Sequence, residues 1–139
     1  MRDGTDGGLT IVLDENLSGR RIIAGLRNAG IPVKPQTDFL KRGSTDEQVL
    51  TVLSRHPGCL LLSKDSDFHR KPAVRNALIR HGVGAFIITA HKNKTADELV
   101  ALVRAAWPRM ERCARKWPRP FIAKITADGT VTLIPPVRT

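Results

Sequence analysis

The residues of this chain best equipped for chemistry are acidic, and they stand at the ends of apolar runs. Asp14 and Glu15 follow the run Leu9 to Leu13, Asp65 and Asp67 follow Gly58 to Ser63, and Asp46 opens a helical pattern at Ser44-Thr45-Asp46-Glu47. An isolated Asp after a strand ordinarily caps a turn or a helix, and a lone D-x-D pattern says little. The joint pattern says more. Carboxylates gathered within about 4–6 Å raise one another's pKa values and cost stability unless a cation neutralises them. A hard divalent ion, Mg²⁺ or Mn²⁺, suits carboxylate oxygens with open water positions. There it can bind a phosphate oxygen, lower the pKa of a bound water and stabilise charge on a leaving oxygen. The chemistry implied is in-line hydrolysis of a phosphodiester, which needs no nucleophilic side chain.

These carboxylates meet only if the elements between them form a parallel sheet of order 2-1-3-4. The first and third strands are then neighbours, and ligands collect beyond the carboxyl ends of the strands where the order reverses. The pattern fits. Leu9 to Leu13 reads as a strand, and Ser18 to Ala29, with Ile22, Ile23 and Leu26 at helical spacing before Gly30, reads as a helix. Ile31 to Gln36 is a weak strand suited to an edge, because Pro32 and Pro35 remove ladder donors. Ser44 and Glu47 have capping-box spacing ahead of Val49, Leu50 and Leu53. Gly58 to Ser63 reads as a central strand, Val74 to His81 as a helix closed by Gly82, and Val83 to Thr89 as another buried strand. Thr95 and Glu98 repeat the capping box for a helix with Leu99, Val103, Ala106, Trp107, Met110 and Cys113 on one side, which Pro108 should kink or restart. Phe121 to Thr126 and Thr130 to Ile134 flank the turn Asp128-Gly129 and predict a hairpin, added antiparallel at one edge. The expected fold class is α/β: a mostly parallel twisted sheet with right-handed crossovers, flanked by helices in three layers, with a C-terminal β-hairpin. Residues 9–134 are expected to form a single domain between flexible tails at 1–8 and 135–139.

With 139 residues the chain can bury a real core without disulfides or a structural metal. Cys59 and Cys113 lie in no C-x-x-C or Cys/His spacing, which argues against structural zinc. No apolar leader opens the sequence and no run approaches membrane-spanning length, so a cytoplasmic protein without a membrane partner is expected. Lys and Arg exceed Asp and Glu by 23 to 13, a formal charge of +10 spread along the chain, which favours a polyanionic partner. Charge alone does not separate nucleic acid from an acidic protein.

Asp14-Glu15-Asn16-Leu17-Ser18, Asn28-Ala29-Gly30-Ile31-Pro32-Val33, Ser44-Thr45-Asp46-Glu47 and Leu61-Leu62-Ser63-Lys64-Asp65-Ser66-Asp67-Phe68 follow in register over about residues 9–90. Together they resemble the compact PIN-like nuclease domains with a D-E-N-L start and a D-x-D-F motif, many of which are VapC-like ribonuclease toxins of toxin-antitoxin modules. The resemblance implies a PIN-like three-layer sandwich and a Mg²⁺- or Mn²⁺-dependent endoribonuclease acting on RNA. Asp14, Asp46 and Asp65 would form its acidic centre, and Asp67 would be a further ligand or orienting group. It leaves open whether Asp46 binds directly or through water. It also implies a cognate antitoxin as partner and is compatible with self-association.

Other residues carry two readings each. Lys64 and Arg20 adjoin the acidic positions and either bind the scissile phosphate or balance charge. Asn16 positions a water or ligand, or shapes the turn, and Glu15 is a secondary candidate because neighbours on an extended segment face opposite sides. Arg104, Arg109, Arg112, Arg115 and Lys116 share one side of the last helix, a candidate phosphate track or a solvated face. Trp107 reads as core, whereas Trp117, between Lys116 and Arg119, is a candidate RNA or antitoxin contact. His56, His69, His81 and His91 show no ligand spacing. Competing readings are a receiver-like phospho-acceptor domain using Asp14, Glu15, Asp65, Thr89 and Lys124, a Toprim-like core, and a PIN-like fold that binds RNA without cutting it.

Overall fold

Strand β1 (Thr10–Leu13) has apolar side chains on both faces, and both are covered: Ile11, Val12 and Leu13 are buried. The computed structural model describes residues 9–64, 71–89 and 92–134. Among these, β2 (Val33–Pro35), β3 (Cys59–Ser63), β4 (Gly84–Ile88), β5 (Phe121–Ile125) and β6 (Val131–Leu133) join β1 in a six-stranded sheet of order β2-β1-β3-β4-β5-β6. The order expected for the first four strands is therefore present, with the Pro-bearing β2 at the edge. The tails at 1–8 and 135–139 lie outside the described residues.

Period-2 alternation sends β1 side chains into two cores. Ile11 and Leu13 join Leu60, Leu62, Phe86 and Phe121 beneath α1 (Arg20–Asn28) and α4 (Ala96–Lys116). Val12 joins Leu61, Ala85 and Ile87 beneath α2 (Asp46–Leu53) and α3 (Pro72–His81). Burying one such Leu or Ile contributes about 1.5–3 kcal/mol, so each strand gains on both faces. Gly84 is small because it must be: a Cβ there would lie 2.6 Å from the Phe121 ring and 2.8 Å from Leu60.

Two expectations need correction, and a third is narrowed. The C-terminal hairpin exists, with β6 antiparallel to β5, but β5 itself runs parallel to β4 and extends the parallel sheet. The crossovers do not share one hand. α3 and α4 each carry the chain one strand further in the same direction, yet α3 packs with α2 and α4 packs with α1 on the opposite face. Two such connections are of opposite hand, so one departs from the right-handed rule. Coverage accounts for it: the nine-residue α1 is too short to shield its face of the sheet alone, and the 21-residue α4 supplies the missing apolar stripe. Of the two outcomes expected at Pro108, a kink or a restart, the restart does not occur: Pro108 sits inside the continuous helix with an exposed ring. The carbonyl it leaves without a donor belongs to exposed Arg104, where water can replace the lost bond.

Candidate active site

α1 leaves β1 on one face of the sheet and α2 enters β3 from the other, which makes the carboxyl ends of β1 and β3 the topological switch point. Leu13 pairs with Pro35 on one side and with Leu62 on the other. One residue further on, the same register lines up Gln36, Asp14 and Ser63 across three adjacent strand ends. All three are polar.

Asp14 is held firmly. Its Oδ1 accepts from the backbone N–H groups of Asn16 at 3.0 Å and Leu17 at 3.2 Å, capping a 3-10 turn over Glu15–Leu17. Its Oδ2 accepts from the Ser63 hydroxyl at 2.5 Å, bridging β1 and β3. Ser63 is 1% exposed and Asp14 half-buried, so this charge-assisted bond is partly shielded from water. Capping and orienting are the same interaction here, because the donors that close the turn also fix the carboxylate.

The second acidic position arrives through the loop ahead of α2. Gly43 adopts φ +81°, a left-handed conformation that favours glycine, and its N–H donates to Glu15 Oε1 at 2.8 Å. Glu15 thus ties the first turn to the loop that carries Ser44 and Asp46, and one of its oxygens is committed to that task. The capping box is displaced by one residue from the expected Ser44 and Glu47. Thr45 Oγ1 accepts from Gln48 N at 3.1 Å, and Gln48 Oε1 accepts from Thr45 N at 2.8 Å. Ser44 donates instead to the Lys41 carbonyl. Glu47 faces α3, where His81 and Arg80 donate to it at 2.8 and 2.9 Å and hold its carboxyl below the usual value. The outcome puts Asp46 at the first helical position.

Asp14, Glu15, Asn16 and Asp46 line one cleft of about 210 Å³, together with Gln36, Ser44 and Ser63. Asp65 and Asp67, the expected contribution of the third strand end, lie outside the described residues, as do Phe68, His69 and His91. Gln36 and Ser63 were not expected to act. A Ser ending an otherwise apolar strand was a usable signal for the second; Gln36 gave none without the register.

The remaining candidates are dispersed. Arg20 lines a separate depression with Ile23 and Arg27. Lys64 directly follows Ser63 and is half-buried. Arg104, Arg112, Arg115 and Lys116 are exposed on α4, across the sheet from α2, while Arg109 donates to the Gly129 carbonyl at 3.2 Å and anchors the hairpin. Trp107 packs against the core as expected. Trp117 is half-buried, its ring edge-to-face with Phe121 at 5.6 Å. Thr89, the hydroxyl of the receiver-like reading, donates to the Ile125 carbonyl at 3.2 Å.

The cleft's donors are oxygen atoms and side-chain amides, with no thiol or imidazole among the described residues. That set suits a hard cation. Among the described residues no three Asp, Glu, His or Cys side chains close into a ready ligand cage. A Mg²⁺-type ion does not require one, because it is held by one or two carboxylates and keeps several waters. Asp14 and Asp46 therefore fit such an ion. Comparison with protein families matches residues 9–90 to the family described as PIN like domain. Comparison with curated proteins and with solved structures finds no match.

Proposed function

The chain belongs to the PIN-like domain family, whose fold is generally that of nucleases, and on that premise we propose that it is a Mg²⁺- or Mn²⁺-dependent endoribonuclease. The observation that carries this reading is the meeting of Asp14 and Asp46, 32 positions apart by their numbering, in one cleft at the sheet's switch point. Asp14 and Asp46 would hold the ion, with Asp65 and Asp67 as further ligands or orienting groups. When bound, the ion supplies neutralisation of the phosphate charge and a water acidic enough to attack at neutral pH.

The chain's own residues do the rest. Ser63 and the N–H groups of Asn16 and Leu17 keep the Asp14 carboxylate turned one way, so that no reorganisation is needed when substrate enters. Glu15, through Gly43, keeps the Asp46 loop against the first strand end. Lys64, one residue beyond Ser63, is assigned to a phosphate oxygen; Arg20, in its own depression, and Arg112 and Lys116, across the sheet, would meet only RNA that extends beyond the cleft, while Arg109 and Trp117, expected at the same surface, are engaged with the hairpin and with Phe121. The formal charge of +10 supports a polyanionic substrate. The biological role proposed is that of a toxin restrained by a cognate antitoxin, in the cytoplasm. Among the described residues no helix is long and apolar enough to cross a membrane.

Purified protein is expected to cleave RNA with Mn²⁺ or Mg²⁺, to stop with EDTA, and to lose cleavage on Asp14→Asn or Asp65→Asn. Cleavage that survives both substitutions would sink the assignment. Expression without a partner should arrest growth, and harmless overexpression of active enzyme would remove the toxin role while leaving the nuclease.

A further inference from the structure

We propose that the Gln36 carboxamide positions the divalent cation in this cleft, its Oε1 accepting a hydrogen bond from a water carried by the ion at Asp14 and Asp46. The inference rests on the metal-dependent reading above and names a residue outside the acidic set.

Gln36 follows β2 directly and stands beside Asp14 in the register. It is 4% exposed, and it lines the acidic cleft. Its backbone carbonyl accepts from Phe39 and Leu40, but among the described residues its side chain makes no hydrogen bond. A buried carboxamide carries two N–H donors and an acceptor oxygen, and leaving them unsatisfied is destabilising. Native interiors rarely keep such a group unless something else fills its valences.

Several of the polar groups that share the cleft are already engaged. The Ser63 hydroxyl serves Asp14, the Ser44 hydroxyl serves the Lys41 carbonyl, and Glu15 Oε1 takes the Gly43 N–H. Gln36 makes no hydrogen bond to the Asp46 and Asn16 side chains that share the cleft, which leaves the cleft's contents as the partner proposed for it. A Mg²⁺-type ion keeps several of its waters, and each is a polarised donor seeking an acceptor. A neutral amide oxygen accepts from such a water without adding to the repulsion between the carboxylates. Its N–H groups remain free to donate to an acidic oxygen or to a phosphate. Groups in this outer position commonly change metal affinity by about 10–100-fold.

The test compares the full chain with Gln36→Leu, Gln36→Met, Gln36→Glu and Asp14→Asn by Mn²⁺ titration calorimetry and by thermal unfolding without metal. Leu and Met keep the bulk and remove the polar valences. Both variants are expected to unfold at the wild-type temperature or above, because an unsatisfied buried amide is gone, and to bind Mn²⁺ on the order of 10-fold more weakly. Gln36→Glu is expected to bind at least as tightly as wild type. Unchanged Mn²⁺ affinity in the Leu and Met variants overturns the proposal. So does a lower metal-free unfolding temperature in both, which would mean the carboxamide serves a partner within the protein. Wild-type protein that takes up no Mn²⁺ would overturn the metal-dependent reading itself. If Mn²⁺ binds and Asp14→Asn alone weakens it, only the role of Gln36 falls.

Discussion

Ser63 and Asp14 share a bond that closes the switch point from within, between the ends of β1 and β3. Removing the hydroxyl takes one donor from a carboxylate at the sheet's edge. Ser63→Ala is expected to lower stability by about 1.5–3 kcal/mol in urea unfolding. It should also weaken Mn²⁺ binding on the order of 10-fold, because the Asp14 carboxylate loses its fixed orientation. Wild-type affinity in that variant would show that Asp14 is oriented without the Ser63 hydroxyl. The contrast between Asp14 and its neighbours explains what could be read in advance. A carboxylate after an apolar run announces itself, and Asp14 was legible for that reason, whereas Asp46 was marked by the capping pattern that opens α2. Gln36 follows a three-residue, Pro-bearing strand and looks like loop. Its meaning comes only from the Leu13–Pro35 pairing, a fact of three-dimensional register.

At the scale of elements, α2 delivers Asp46, and its cap decides where that residue points. The segment holds two overlapping capping boxes, Ser44 with Glu47 and Thr45 with Gln48, which local spacing cannot separate. Arg80 and His81 on α3 resolve the choice by binding Glu47, so the decision belongs to tertiary packing. Thr45→Ala should cost about 1 kcal/mol in thermal or urea unfolding, whereas Ser44→Ala should cost much less. Equal losses would contradict the displaced box. The β5–β6 turn supplies a pH test. Hydrogen bonds from Thr126 and Thr130 pull the Asp128 carboxyl down from its ordinary 3.8 to about 2. The folded value lies below the unfolded one, so this carboxylate stabilises the fold above about pH 4, and the contribution is lost as pH falls toward 2. Asp128→Ala should therefore lower the unfolding temperature at neutral pH, with the gap to wild type narrowing between pH 4 and pH 2. A gap that stays constant across that window would contradict the assignment. The crossover of opposite hand was not legible, because no local pattern in α4 states which face of the sheet is short of cover.

For the whole molecule, the two layers divide the labour: the α2 side carries the acidic cleft, and the α4 side carries an exposed basic surface. RNA binding should weaken steeply with salt, the logarithm of affinity falling by about 0.7 per neutralised phosphate on a single strand. Arg112→Ala with Lys116→Ala should flatten that slope if RNA reaches across the sheet edge. An unchanged slope would confine the contact to the cleft face. The strand order and the nuclease-type class were legible because apolar runs alternating with helical stripes admit few sheets, and basic charge with acidic strand ends admits few chemistries. If Asp14 and Asp46 form one cation site, anomalous diffraction from crystals grown with Mn²⁺ will locate the ion there. We expect a peak in the cleft within coordination distance of the Asp14 carboxylate, with Asp46 reaching it directly or through water. A peak elsewhere, or Asp14 and Asp46 on separate surfaces with no metal between them, would contradict the account.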